Sequence, residues 1–313
     1  MDRDKPMSAQ PVTLVPIDFT VGSRRLLSVE RQLSTWAFSL EETLATTARN
    51  LAAPPPGPDG FRVLSAPLGK IPEIAALCPH YVIGARQDYP RHYITMDGSF
   101  DDYMAHFSGK TRSTLRRKAR KLEKEVGAGY AITEHHTPAE IEDFLTKARP
   151  LSAKTYQARL LDAGLPDTPD ATREMMVLAE QGRIRGYLLE GPDGPLAYLL
   201  LPVHGETIVY AHLGYDPDWA RLSPGTVLQM EALERLFAEQ LYRYFDFTEG
   251  DGAHKAMFGT DSVACASFML LSPTFANRAL IASRSAFDTG VSAAKSLAER
   301  SGALAGIRSR LRA

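Results

Sequence analysis

Cysteine is almost absent: the 313 residues include only Cys78 and Cys265, too few for a disulfide framework or, unaided, for a structural zinc site. Both read as small buried hydrophobes. Long apolar runs are missing too, since none approaches the roughly 18 residues that span a bilayer. Met1 to Pro11 is charged and polar and does not resemble a signal-peptide core. The expected location is therefore the cytoplasm, with peripheral membrane contact left open. No charge of one sign dominates: 36 Lys and Arg against 37 Asp and Glu give a formal net charge of −1. That balance argues against a protein built around non-specific nucleic-acid binding and leaves room only for a local patch. There is no Gly-x-Ser-x-Gly elbow, Walker loop, dinucleotide fingerprint or His-Glu-x-x-His site. Serine hydrolase, P-loop ATPase, Rossmann oxidoreductase and zincin chemistries lose support accordingly, and no metal is expected.

What is present is an ordinary globular composition, 44% hydrophobic and 23% charged, long enough for about two units of 100 to 150 residues. After the lead-in at residues 1–11, Val12 to Ile17 reads as a strand. Ser28 to Thr47 reads as a helix with Leu33, Ala37, Leu40 and Leu44 on one face. The Pro/Gly-rich stretch Ala53 to Gly60 is a loop. Strands at Phe61 to Ser65 and Arg91 to Met96 flank a helical turn at Ile71 to Cys78. Ser99 is suited to cap a turn-helix unit over Asp97 to Phe107, and Leu115, Ala119 and Leu122 stripe the next helix, closed by Gly127-Ala-Gly129. A strand at Tyr130 to Glu134 precedes helices at Pro138 to Lys147 and Thr172 to Gln181. Arg183 to Glu190, Leu196 to Val203 and Thr207 to Leu213 form three successive strands. Thr226 to Gln240 is a long helix, followed by strands at Tyr242 to Phe247 and Ser262 to Leu270. This order predicts an α/β or α+β domain with a mixed sheet, and residues 275–313 form a basic helical tail.

Three constellations carry candidate chemistry. Between Lys110 and Lys124 the only acid is Glu123, and on a helix Arg112, Arg116 and Arg120 form one row beside Arg117 and Lys121. Like charges four apart repel by a few tenths of a kcal/mol. Such rows are commonly solvated faces, yet guanidinium forks are also what a phosphate or carboxylate needs. The second constellation is Arg221-Leu-Ser223-Pro-Gly225-Thr226, where the first turn of a helix offers N–H groups to an anion and Gly225 permits close approach. Ser223 as cap and Pro224 in the first turn explain the same letters without a ligand. The third is Asp246-Phe-Thr-Glu249-Gly-Asp251 with His254 and Lys255 beyond it, ionisable groups at the end of an apolar strand. Asp246 alternates out of phase with Phe245 and Phe247 and needs a partner, for which Lys255 is the candidate. His212, near a strand end, is a further proton acceptor by residue type.

Ser108 to Leu122 resembles the arginine-rich helix of the acetyltransferase domain of CelD/BcsL-like proteins, a group of the GNAT superfamily alongside FemAB-like aminoacyl transferases. Phe245 to Asp251 with Lys255 resembles that domain's Asp-Phe-x-x-Gly segment and later Lys, and the Ser-Pro-Gly-Thr helix start lies between them. The resemblance covers Asp97 to Leu270. It implies a GNAT-like fold, duplicated in FemAB-like relatives, with halves at 12–150 and 151–274. It also implies transfer of an acyl group from acyl-CoA, acetyl-CoA first, to an amine or hydroxyl of a small or sugar-linked acceptor, in polysaccharide or envelope biosynthesis. Asp246 or Glu249, with His212 behind them, would serve as general base or orient the acceptor. Arg221, Ser223, Gly225 and Thr226 would hold the donor, and Arg112, Arg116, Arg117, Arg120, Asp251 and Lys255 would contact substrate. One departure stands out: the pyrophosphate loop Arg/Gln-x-x-Gly-x-Gly/Ala has Pro224 where its first glycine belongs. The donor therefore stays open between acyl-CoA and aminoacyl-tRNA, and a non-catalytic scaffold of a polysaccharide assembly complex stays as the alternative of another class.

Overall fold

The structure, a computed structural model, describes residues 12–21, 24–45, 51–155 and 164–300. The lead-in and the tail beyond residue 300 lie outside the described residues. The chain divides into two compact units, Met1–Tyr89 with Ala264–Ala313, and Pro90–Val263. The division expected at residue 150, between halves 12–150 and 151–274, falls inside the second unit and within one helix, Pro138–Lys154. Discontinuity is the reason: the chain returns to its first unit through β11 (Asp261–Leu271), which pairs with β3 (Gly60–Pro67).

In the first unit, β1 (Thr13–Val21) lies antiparallel to β2 (Arg24–Ala37), and β2 runs parallel to β3. Leu33, Trp36, Phe61, Val63, Ile74 and Phe268 are buried here. The helix expected over Ser28 to Thr47 is a correction, since β2 occupies its first half and, among its described residues, only Leu40–Leu44 (α1) is helical. Leu33 and Ala37 stand four apart in a strand as readily as in a helix, and pairing on both edges of β2 decides between the two. Helix α1 begins where Ser39 and Glu42 form a reciprocal capping box. The same unit holds α2 (Ile71–Leu77) and α9 (Phe275–Arg300).

In the second unit the strand order is β4-β10-β8-β7-β6-β5. The strands are β4 (Val82–Thr95), β5 (Ala131–His135), β6 (Ile184–Gly191), β7 (Gly194–His204), β8 (Thr207–Val209) and β10 (Tyr244–Asp246). All neighbours are antiparallel except β10 and β8, which run parallel, so the sheet is mixed as expected. Alternation along β7 sorts the two faces. Ala197, Leu199 and Leu201 enter one core with Leu115 and Leu122 of α4 (Gly109–Val126) and Leu228, Leu233 and Leu236 of α7 (Pro224–Glu239). Tyr198 and Leu200 enter the other, with Ile141 and Phe144 of α5 (Pro138–Lys154) and Met175 of α6 (Pro169–Glu180).

The third strand expected, Thr207 to Leu213, is in fact two: β8 ends at Val209 and β9 (His212–Tyr215) starts after a break at Tyr210 and Ala211. Both pair with β7, but β9 has no partner on its other edge among the described residues. Tyr198 lies across β9 opposite Gly214, and its hydroxyl reaches Ser152 of α5 at 2.9 Å. A Cβ on Gly214 would meet that ring at 2.4 Å. Gly214→Ala is therefore expected to lower stability by about 1–3 kcal/mol in urea unfolding, the usual cost of overpacking; an unchanged midpoint would show that the ring is free to move aside.

Candidate active site

The arginine-rich helix forms where the sequence places it. Ser108 accepts the Thr111 N–H as N-cap, and Gly127, at φ 69°, stops the helix. Leu115, Leu122 and Val126 are buried, so the cationic residues take the remaining faces. The arginines then part ways. Arg112 donates to the Phe107 carbonyl at 2.9 Å, satisfying the end of α3 (Phe100–Ala105). Arg112, Arg116 and Arg120 together line an open cavity of about 930 Å³ with Glu123, Tyr130 and Glu231. Burial, then Glu234, raises the Glu231 carboxyl above its usual range, and burial pushes the Tyr130 phenol up to about 12. Arg117 is exposed and lines neither this cavity nor the two beside α4 and α7.

Helix α7 starts behind Ser223, which adopts the left-handed region at φ 56° and makes no side-chain cap. First-turn N–H groups of a helix have no intrahelical partner. Thr226 lines a cavity of about 330 Å³ together with Lys110, Lys118, His254 and Phe258. Gly225 has a packing role: it is buried, and a Cβ there would meet Leu213 of β9 at 2.9 Å. Arg221 is exposed and pairs with Glu125 of α4 at 3.2 Å.

Beside this helix start the strands part. Tyr210 N–H donates to the Asp246 carbonyl at 2.9 Å, after which β9 turns to β7 alone while the chain beyond β10 goes elsewhere. Phe245 and Phe247 pack in the core under α7, with the Tyr210 ring 5.4 Å from Phe247.

Asp246 points away from its aromatic neighbours, as alternation requires. Its partner is not Lys255 but Arg91 of β4: Nη2 lies 2.5 Å from one carboxylate oxygen and Nε 3.1 Å from the other. Both side chains are buried, at 7% and 1% exposure. Thr248 N–H also donates to Asp246 at 2.9 Å and holds Thr248 itself at φ 62°, a conformation that costs a β-branched residue about 1–3 kcal/mol. Lys255 instead donates to the Glu249 main-chain carbonyl, closing the turn. Burial lowers its ammonium pKa from the usual value. The Glu249 side chain is exposed, and Asp251, exposed too, lies 3.5 Å from His92. His212 is paired with Leu200 and so shares the face covered by α5, opposite to α7 and the cavities. Burial holds its pKa below the ordinary value.

The structure thus gathers Thr226, Arg112, Arg116 and Arg120 around the cavities of one face, and Asp246 and His212 on the other. Lys118 of the basic row lines the smaller cavity, and three residues outside the sequence expectation join the site: Arg91, Tyr210 and Gln229. Gln229 carried a readable signal as a polar residue in line with Gly225, Leu233 and Leu236 on the buried face of α7, and it is fully buried. Arg91, distant in sequence, carried none. Among the described residues no cluster suited to a metal ion and no helix able to cross a membrane is found.

Residues 109–256 match the model of the acetyltransferase (GNAT) domain. No curated protein matches the chain. Among solved structures it is similar to FemX, at 12% identity over 68% of this chain and 72% of that one, with a TM-score of 0.46. L-PGS from Bacillus licheniformis is 14% identical over 72% of each chain, with a TM-score of 0.45. An aminoglycoside acetyltransferase from an uncultured soil metagenomic sample, in complex with sisomicin, is 16% identical over 39% of this chain and 78% of its own, with a TM-score of 0.29. The domain match spans the basic helix, the strand opening and the turn after β10, and the mixed α/β sheet accords with the GNAT-like fold expected.

Removing the Asp246 carboxylate leaves Arg91 charged and buried. Asp246→Ala is expected to cost about 3–5 kcal/mol in urea unfolding, whereas the double change Asp246→Asn with Arg91→Met should recover part of it. Full stability in the single variant would mean that the guanidinium finds another partner.

Proposed function

We propose that the second unit transfers an acyl group from acyl-CoA, acetyl-CoA first, to an amine or hydroxyl of a small or sugar-linked acceptor, in the manner of the CelD/BcsL-like group. The observation that carries this reading is the parting of β9 from β10 directly beside the start of α7. A strand paired on one edge keeps the alternate N–H and C=O groups of its other edge for a ligand. An extended pantetheine arm suits such an edge. The donor's phosphates would lie at the first turn of α7, where Thr226, Lys110 and Lys118 share a cavity. Ser223 and Gly225 shape that turn, and Arg221, held only by an exposed pair worth at most about 1 kcal/mol, is free to turn to a phosphate.

The acceptor must lose a proton as it attacks the thioester carbonyl, whose oxyanion needs N–H donors of the kind the open edge offers. With both oxygens engaged by Arg91, Asp246 acts as a positioning residue: it fixes the 246–251 turn and thereby Glu249, Asp251 and Lys255. Arg116 and Arg120, with Arg112 braced against the preceding helix, give the larger cavity an excess of cationic forks for an anionic part of either substrate.

Acetyl-CoA or free CoA at about 100 times its Kd should stabilise the protein by about 2.7 kcal/mol, read as a rise in Tm. No rise with any acyl-CoA, together with salt-sensitive retention of tRNA, would move the donor to aminoacyl-tRNA. Changing Arg116 and Arg120 together to Gln should weaken binding of the anionic substrate at least tenfold and leave the Tm of the ligand-free protein unchanged; equal KM values for donor and acceptor in the variant would assign these arginines to solvated surface.

A further inference from the structure

We propose that His254, held by the buried amide of Gln229, is the group that takes the proton from the acceptor; the inference rests on the acyl-transfer reading above. Gln229 is fully buried on α7, and its Oε1 lies 2.7 Å from His254 Nε2. With Oε1 turned to the ring the amide accepts, so Nε2 of His254 carries the hydrogen and Nδ1 keeps the lone pair, whereas the amide turned over, with its otherwise unpartnered nitrogen donating, would reverse the two. A neighbour that fixes a histidine's tautomer in this way decides which nitrogen does the chemistry.

The surroundings favour the neutral ring. His254 keeps an exposed side, and the burial of the rest of its ring, then Lys255 on the same helix and Lys118 on α4, lower its pKa from the ordinary value. The other rings near it are Phe258 at 4.7 Å, Tyr210 at 6.1 Å and Phe247 at 6.4 Å, two of them purely hydrocarbon and the third a phenol that burial keeps protonated. None of these neighbours is a carboxylate, which would favour the imidazolium. Location completes the argument. His254 lines the cavity shared by Thr226, Lys110 and Lys118, and it sits against Tyr210, the residue at which the strands part. Asp246 has both oxygens bonded and His212 lies on the other face, so His254 is the proton acceptor that shares a cavity with the proposed phosphate site.

The step balances without another reagent. The acceptor N–H or O–H proton passes to Nδ1 as its lone pair forms the bond to the thioester carbon. The C–S bond then breaks, and the departing thiolate takes one proton, returning the imidazole to neutral. Lys118 and Lys255 disfavour a long-lived imidazolium and so promote this return.

The test follows CoA release from acetyl-CoA across pH, with glucosamine and with water alone as acceptors, on the full chain. Wild-type rate should fall as pH drops through the imidazole pKa. His254→Gln should lower the rate about 100-fold and remove that acid limb. Gln229→Glu, which places a carboxylate on Nε2–H and favours the imidazolium, should move the limb to higher pH. A structural role for Gln229 would not shift it. Nitrogen-15 NMR of the wild-type histidines, with His254 assigned through His254→Gln, reads the tautomer even where Gln229→Glu fails to fold, and Nε2–H is expected. An active wild type whose His254→Gln variant keeps its rate and profile, or a His254 protonated on Nδ1, overturns the inference and leaves acyl transfer standing. Absence of CoA release from the wild type removes the acyl-transfer reading, and the inference with it.

Discussion

The buried pair of Arg91 and Asp246 is the constraint on which the candidate site depends. It joins the edge of β4 to the last residue of β10 and fixes the point at which β10 stops being a strand. Two charges taken out of water need close, bidentate geometry to offset their desolvation, and both carboxylate oxygens are engaged. The same carboxylate accepts the Thr248 N–H and so holds a β-branched residue in the left-handed region. With the turn so placed, α8 (Ala253–Phe258) sets His254 against Gln229 and the Lys255 ammonium against the Glu249 carbonyl.

A second constraint is the break at Tyr210 and Ala211. Had residues 207–215 continued as one strand beside β10, every edge group would be paired and nothing would be left for a ligand. The division into β8 and β9 instead gives one half to β10 and the other to β7 alone. Gly214 and Gly225 allow this geometry at close range, the first beneath the Tyr198 ring and the second against Leu213, so the left-handed Ser223 and the start of α7 come to lie beside the open edge. Ser223 and Thr248, two of the non-glycine residues in the left-handed region, lie on the two loops that flank the opening.

How much of this the letters disclose varies with the range of the interaction. Ser99, Thr137 and Ser108 announce their helices through local caps, and the Leu115 and Leu122 stripe with Gly127 after it marks the buried face and the end of α4. The strand at Ser28 to Ala37 is disguised because its spacing of leucine and alanine also suits a helix, and only pairing with β1 and β3 distinguishes the two. Asp246 is legible as a buried carboxylate in need of a cation, but its partner is Arg91, 155 positions away, and not the nearby Lys255. The role of Gly225 is legible as close approach, with a leucine side chain as the partner. The basic row is visible at once, yet its division into a carbonyl-bracing Arg112, a cavity-lining Arg116 and Arg120, and an outward Arg117 needs the helix docked.

In the proposed acyl transfer a donor thioester enters between β9 and β10 and rests its phosphates on the first turn of α7. Hydrogen–deuterium exchange of the full chain with and without CoA measures this directly. Protection confined to peptides covering Tyr210–Tyr215 and Ser223–Leu228, with lesser protection along Lys110–Lys118, is expected. Unchanged exchange at both segments under saturating CoA, or protection confined to the first unit, would contradict it.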